Sequence, residues 1–348
     1  MSSSLGIILA ILIFGFIVAF HEFGHFIVAK LNHIQVFDFS IGFGPSILHK
    51  TVGETTYNLR IIPLGGMCQM GEDTPEGEKG NFNEKPVWVR MLVVLAGPFF
   101  NFILAFLLAV ILIGMTGYDK PVIGKVMDHY PAQEAGLQTG DEVISINGRR
   151  IHLWREISLN NAMHPGETVH LVYERNGERS TVTIEPAKQD DGTYLLGISP
   201  TEEFYTKPNV LTSVQYGYYE VAYSVRSTVD GLKMLLYRKI GVGQLSGPIG
   251  IGSIVNESYN ESKAYGAKVV LMTMLSLAIL LSANLGVMNL LPIPALDGGR
   301  LLFLLVEAVR RKRIPPEKEG FVHLVGMGLL LLLMAFVMYN DITKLLGN

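Results

Sequence analysis

Four stretches of this sequence run for about twenty residues with scarcely a charge: 5–29, 91–115, 269–291 and 321–338, the last a little short but extended by Tyr339. A bilayer core about 30 Å thick is crossed by roughly 20 apolar residues as α-helix, so each run predicts a transmembrane helix. No Lys or Arg precedes Lys30. Without a basic leading region, the first run reads as a retained span and not as a cleaved signal peptide. The pattern changes over 117–268. Short alternating runs at 121–126, 142–146, 168–174 and 181–185 predict strands, and Asn147-Gly148 and Asn176-Gly177 predict tight turns. A small, mostly β domain therefore ends near Pro200. Beyond it Val214, Tyr218, Val221, Val225, Val229 and Leu232 recur at three to four. That spacing predicts an amphipathic helix over 210–237, suited equally to a membrane interface or to packing on the domain. Between the first two spans, 55–62 alternates and Pro63-Leu64-Gly65-Gly66 turns after it, which predicts a β-hairpin.

Composition supports the same reading. Hydrophobic residues make up 49% and charged residues 17% of the 348 positions, against roughly 25% charged in globular proteins. This excludes a disordered chain and a coiled coil. With a net charge of -3 it also excludes a basic nucleic-acid-binding protein. Cys68 is the single cysteine, so there is no intrachain disulfide and no Cys-rich zinc site. Lys30, Lys85 and Arg90 flank the loop between the first two spans. Arg300, Arg310, Arg311, Lys312, Arg313 and Lys318 fill the loop between the last two. Positive residues favour the cytoplasmic side, which leaves the N-terminus, 117–268 and the C-terminus outside.

The chemistry lies at the inner end of the first span. His21-Glu22-Phe23-Gly24-His25 is an H-E-x-x-H motif. Histidines four apart on a helix share one face and can hold one Zn²⁺, with the glutamate as base toward a bound water. A His, a Glu and a His inside an apolar span are expensive to bury and mark a functional site. The alternative is a polar cluster bonded to neighbouring helices. A catalytic zinc keeps three protein ligands, so a third must lie at the same depth. From Leu5 to His21 a helix rises about 24 Å, and the third span, running inward, ends near Leu291. Asp297 follows in Asn289-Leu290-Leu291-Pro292-Ile293-Pro294-Ala295-Leu296-Asp297-Gly298-Gly299. It emerges on the side where His21 and His25 lie, and reads either as the third ligand or as a plain helix cap. Asn284 and Asn289 are intramembrane amides that fit helix–helix hydrogen bonding or a substrate backbone.

With HEFGH in the first span and NLLPIPALDGG after the third, the chain resembles the site-2 protease family of intramembrane zinc metalloproteases, most closely its bacterial regulator-of-sigma-E protease type. Gly42-Phe43-Gly44-Pro45, Pro63-Leu64-Gly65-Gly66, Ala96-Gly97-Pro98-Phe99-Phe100-Asn101 and Leu245-Ser246-Gly247-Pro248-Ile249-Gly250 match in order. The segments 131–137 and 140–148 resemble a PDZ domain, and there is room for one only. The resemblance implies a polytopic α-helical membrane protein of about four transmembrane helices, with an inserted extracytoplasmic PDZ-like α+β domain and a membrane-associated β-hairpin. Its parts would be 1–116, with a cytoplasmic or membrane-associated β region at about 31–90; the PDZ-like domain at 117–200; an amphipathic linker at 201–268; and 269–348.

The resemblance further implies that His21, His25 and Asp297 ligate Zn²⁺ and that Glu22 is the general base. Asn289 and Pro292 would line the substrate cleft, with Asn284 nearby. Substrates would be single-span membrane proteins, an anti-sigma factor or a remnant signal peptide, cut within the bilayer of a bacterial cell membrane near its cytoplasmic side. A helical substrate must unwind, and its freed backbone groups need partners. The strand at 55–62 is an edge to which it could add. The PDZ-like domain would bind a C-terminal peptide beside Val122-Ile123-Gly124, or act as a size filter. A pseudo-protease scaffold or an ion transporter are the rival classes. Retention of Glu22 with all three candidate ligands argues against the first, and the second predicts flux without proteolysis.

Overall fold

The computed structural model describes residues 4–71, 81–200, 205–206, 208–239, 241, 243 and 245–347. In chain order its helices are α1 (Ser4–Leu31), α2 (Val87–Thr116), α3 (Pro131–Glu134), α4 (Trp154–Met163), α5 (Val210–Leu236), α6 (Pro248–Ser262), α7 (Ala267–Asn289), α8 (Asp297–Arg310) and α9 (Pro316–Gly347). The chain divides into two compact units, Met1–Leu108 with Tyr237–Asn348, and Ala109–Leu236.

Among the described residues, four helices are long and apolar enough to cross a membrane, at Leu5–Leu31, Val87–Thr116, Ala267–Asn289 and Lys318–Leu346. These coincide with the four runs expected. Along three of these helices, exposed positions are large and apolar, among them Leu12, Phe16, Leu107 and Leu329, as helices surrounded by hydrocarbon require. α1 and α2 approach closely. A Cβ on Gly24 would lie 2.5 Å from the Ala96 carbonyl oxygen, so only glycine fits there.

Four helices were not marked by periodicity, α3 and α4 in the second unit and α6 and α8 in the first. α6 is rich in Gly, Ser and Asn, and its start is fixed by a distant residue. Asp341, buried on α9, accepts from the backbone N–H of Gly247 at 3.3 Å and of Gly250 at 2.8 Å. A carboxylate at a helix N-terminus satisfies orphan donors and suits the helix dipole.

The strands β1 (Val36–Val52) and β2 (Thr55–Met70) form more than a hairpin. Phe39 pairs with Cys68 on one side and Tyr57 on the other, and Tyr57 pairs in turn with Lys50. The spatial order is therefore 66–70, 36–41, 56–59, 48–51. The strand at 55–62, expected to offer an edge to substrate, is covered on both sides over 56–59. Among the described residues, the outer strands are 66–70 at one side and 48–51 at the other. Burial of Ala29, Ile34, Val36, Phe82, Val93 and Leu304 ties this sheet to α1, α2 and α8.

In the second unit, β3 (Tyr118–Asp119) and β4 (Lys125–Val126) precede a four-stranded antiparallel sheet. Its order is β6-β5-β7-β8, from β5 (Glu142–Ile146), β6 (Arg149–Arg150), β7 (Val169–Arg175) and β8 (Glu178–Ile184). Asn147-Gly148 and Asn176-Gly177 turn with positive φ at both residues, the backbone that two-residue hairpins need. The expected strand at 121–126 is reduced to a bridge at Val122 and the short β4. Ile123, Val143, Ile146, Trp154, Ile157 and Leu171 form the core.

The short strands β9 (Ala187–Lys188), β10 (Tyr194–Leu195) and β11 (Ile198–Ser199) close the domain, and β12 (Tyr205–Thr206) pairs with β3. A cavity of 480 Å³ opens between α4 and residues 192–200. β11 pairs with β4 on its far side, so this groove lies one strand away from Val122-Ile123-Gly124, where it was expected. The amphipathic helix appears as α5, packed on the domain. Arg226 bonds Glu156 at 2.7 Å, Arg149 bonds Asp230 at 2.9 Å, and Arg155 pairs with the buried Glu220.

Candidate active site

His21 and His25 stand on successive turns of α1, buried, with their Nε2 atoms 3.2 Å apart. Asp297 is the first residue of α8. Its Oδ2 lies 3.1 Å from His21 Nε2 and 3.4 Å from His25 Nε2. The path to Asp297 explains the residues around it. Pro292 and Pro294 break the continuation of α7, and Ala295 takes a φ of +77°. Gly298 and Gly299 then let α8 start against the preceding turn. A Cβ on Gly298 would meet Leu291 O at 2.2 Å, and one on Gly299 would meet Ile293 O at 2.3 Å. From α9, His323 Nδ1 accepts the Ala295 N–H at 2.9 Å, and the loop is held from outside.

The other face of the site is α2. Gly97 lies against both rings. Val93 O is 2.8 Å from His25 Nδ1. A carbonyl can only accept, so Nδ1 carries the proton and Nε2 presents its lone pair inward. His21 Nδ1 lies 3.0 Å from the side-chain amide of Asn101, which is fully buried.

These donors suit a metal. Three candidate ligand atoms lie within 4.8 Å of one another. Asp297 Oδ2 is buried without a hydrogen-bond partner, which is costly unless a cation meets it. Ligand atoms about 2.0–2.2 Å from a tetrahedral Zn²⁺ stand roughly 3.3–3.6 Å apart. Of the observed spacings, 3.4 Å falls on that edge and 3.1 and 3.2 Å lie just below it. With three protein ligands, one position stays open.

A cavity of 340 Å³ opens on the site. His21, Glu22, His25, Asn289 and Asp297 line it together. Two expected residues are not brought to it. Pro292 is exposed in the turn after α7, and Asn284 is half-buried higher on that helix. The cavity also brings in Cys68 and Met70 from the outer strand 66–70 and Arg300 from α8, whose guanidinium lies 4.6 Å from the Phe82 ring centroid. Sequence reasoning assigned no role to Asn101, Arg300 or His323. For Asn101 a signal existed, since an amide inside an apolar span is as notable as Asn284 or Asn289.

Residues 9–333 match the model of peptidase family M50. A Clostridium acetobutylicum protein is 36% identical over 343 residues, covering 98% of each chain. The zinc metalloprotease RasP of Geobacillus kaustophilus is 34% identical over 424 residues, covering 97% of this chain and 98% of the relative. The regulator of sigma-W protease RasP of Bacillus subtilis is 31% identical over 428 residues, with 97% and 98% covered. A His-His-Asp cluster beside a glutamate, its two buried histidines on a helix long and apolar enough to span a bilayer, thus sits in a chain that belongs to peptidase family M50, the site-2 protease family of zinc metalloproteases.

Proposed function

We propose that this protein is an intramembrane endopeptidase that cuts the transmembrane segment of single-span membrane proteins, with His21, His25 and Asp297 holding Zn²⁺ and Glu22 as general base. The observation that carries the reading is the convergence of three donors, two of them on a helix of membrane-spanning length, at spacings close to a tetrahedral edge and beside Glu22. A zinc ion there supplies Lewis acidity and makes a bound water acidic enough to yield its proton near neutrality. Glu22 accepts that proton and returns it to the leaving amine. Asn289, on the cavity wall, holds the substrate main chain.

A helix hides its carbonyls, so the substrate unwinds before the cut, and its freed groups need partners. The open edge of 66–70 supports strand addition: it lies at the cavity through Cys68 and Met70, while Gly66 lies against Glu22. The distribution of Lys and Arg supports a multi-pass protein of a bacterial plasma membrane. Residues 117–200 then form an extracytoplasmic PDZ-like domain, and the active site is toward the cytoplasmic side. The substrate class is an anti-sigma factor or a remnant signal peptide. The groove between α4 and 192–200 supports capture of a C-terminal peptide on the open side of β11.

The test is cleavage of a labelled single-span substrate by purified protein in detergent, wild type beside Glu22→Gln, with zinc quantified in both. The expected result is about one zinc in each and cleavage by wild type alone. Absence of both metal and cleavage from wild type would reject the reading.

A further inference from the structure

Asn101 has no role in the chemistry above, yet its surroundings constrain it tightly. It is fully buried on α2, and its main-chain carbonyl accepts from Ser282 Oγ of α7 at 2.8 Å. Its side-chain amide meets His21 Nδ1 at 3.0 Å, with Nδ2 toward the ring, while Oδ1 is buried with no partner. The two ends of an amide are alike in shape, and only the donor and acceptor pattern separates them. If Nδ2 donates, His21 Nδ1 must hold a lone pair. The proton of a neutral ring then sits on Nε2, aimed at Asp297 Oδ2 at 3.1 Å, and His21 has nothing to offer a metal. If the amide is turned by 180° about its Cβ–Cγ bond, Oδ1 accepts from Nδ1–H. Oδ1 gains a partner while Nδ2 moves to the place it left, and the Nε2 lone pair points inward beside that of His25.

We infer that Asn101 is a positioning residue that accepts a hydrogen bond from His21 Nδ1–H, fixing the tautomer and ring orientation that the metal requires. It is the counterpart at His21 of Val93 O at His25. Outer partners of this kind carry roughly 10–100-fold in metal affinity. The inference rests on the proposed zinc site.

The experiment measures zinc affinity of the purified full-length protein by competition with a chromophoric chelator, independent of cleavage. Wild type is compared with Asn101→Ala, Asn101→Asp and His21→Ala. Asp has nearly the shape of Asn but can only accept. Asn101→Ala is expected to bind about 10–100-fold more weakly, while Asn101→Asp stays near wild type. Asn101→Ala binding as tightly as wild type would overturn the inference. So would Asn101→Asp losing as much as Asn101→Ala while eluting as folded protein. Should Asn101→Ala not fold, Asn101→Asp decides alone: retention supports the acceptor role, and loss rejects it. Failure of the zinc site itself looks different, because wild type would then hold no zinc, or His21→Ala would keep it.

Discussion

Gly97→Ala adds one methyl group to a crowded face of the site. The new Cβ would lie 2.3 Å from His25 Nε2, 2.6 Å from its Cε1 and 2.7 Å from His21 Cε1. Non-bonded atoms rest about 3.5 Å apart, so rings or helix must yield by roughly 1 Å. His25 is tied through Nδ1 to Val93 O at 2.8 Å, and α2 is pressed onto α1 where Gly24 meets Ala96. Overpacking of this kind costs about 1–3 kcal/mol, partly offset by about 1 kcal/mol of helix propensity gained over glycine. The protein therefore folds. Catalysis suffers more, because a misplacement of about 1 Å costs on the order of 100-fold. The assay is kcat/KM on a labelled single-span substrate, with zinc content measured alongside. Gly114→Ala is the control on the same helix, since its nearest neighbour would be Ser213 Oγ at 3.9 Å. Gly97→Ala cleaving at the wild-type rate with full zinc would refute the claim that this glycine makes room for the ligands.

Two further outcomes are expected. His323→Ala removes the acceptor of the Ala295 N–H, a hydrogen bond worth about 0.5–1.5 kcal/mol; the loop before Asp297 loosens, and zinc dissociation measured with excess chelator becomes faster. In the second unit, burial pushes the Glu220 carboxyl up from its ordinary value of 4.5, with Arg155 opposing. Between that value and the raised one the folded state holds more protons than the unfolded, so this residue's contribution to stability grows as pH falls. Thermal unfolding of the full chain from pH 7 down toward 4.5 should show that slope in wild type and lack it in Glu220→Gln, and an unchanged slope would refute the assignment.

The spans were legible because a bilayer imposes its length on composition. The H-E-x-x-H motif was legible because polar groups in such a run stand out. Asp297 could be reached by following the third span inward, since depth in the membrane serves as a coordinate that a soluble core does not provide. Register was not legible. That 56–59 is interior and 66–70 an edge depends on how β1 bends at Gly42 and Gly44, both with positive φ, and alternation says nothing of which strand ends outermost. α6 was missed because its first turn is held by Asp341, 91 positions from Gly250. Asn101 and His323 act through partners 80 and 28 positions away. Such roles are created by packing and leave only the trace of a polar residue where an apolar one would be cheaper.

The separation of Asp297 from His21 and His25 governs when the enzyme can exist. Ribosomes add roughly 5–20 residues per second, so the two histidines enter the membrane many seconds before the aspartate is made. During that interval the chain holds an incomplete donor set, and neighbouring newly inserted helices are safe from it. Once Asp297 arrives, an ion held by the proposed ligands would join the first helix to the last third of the polypeptide, closing a loop of about four-fifths of the chain. Clips across long loops restrict the unfolded ensemble most. The proposed metal cluster would in this way also be a checkpoint on completed synthesis, and a truncated product would be both inert and poorly held together.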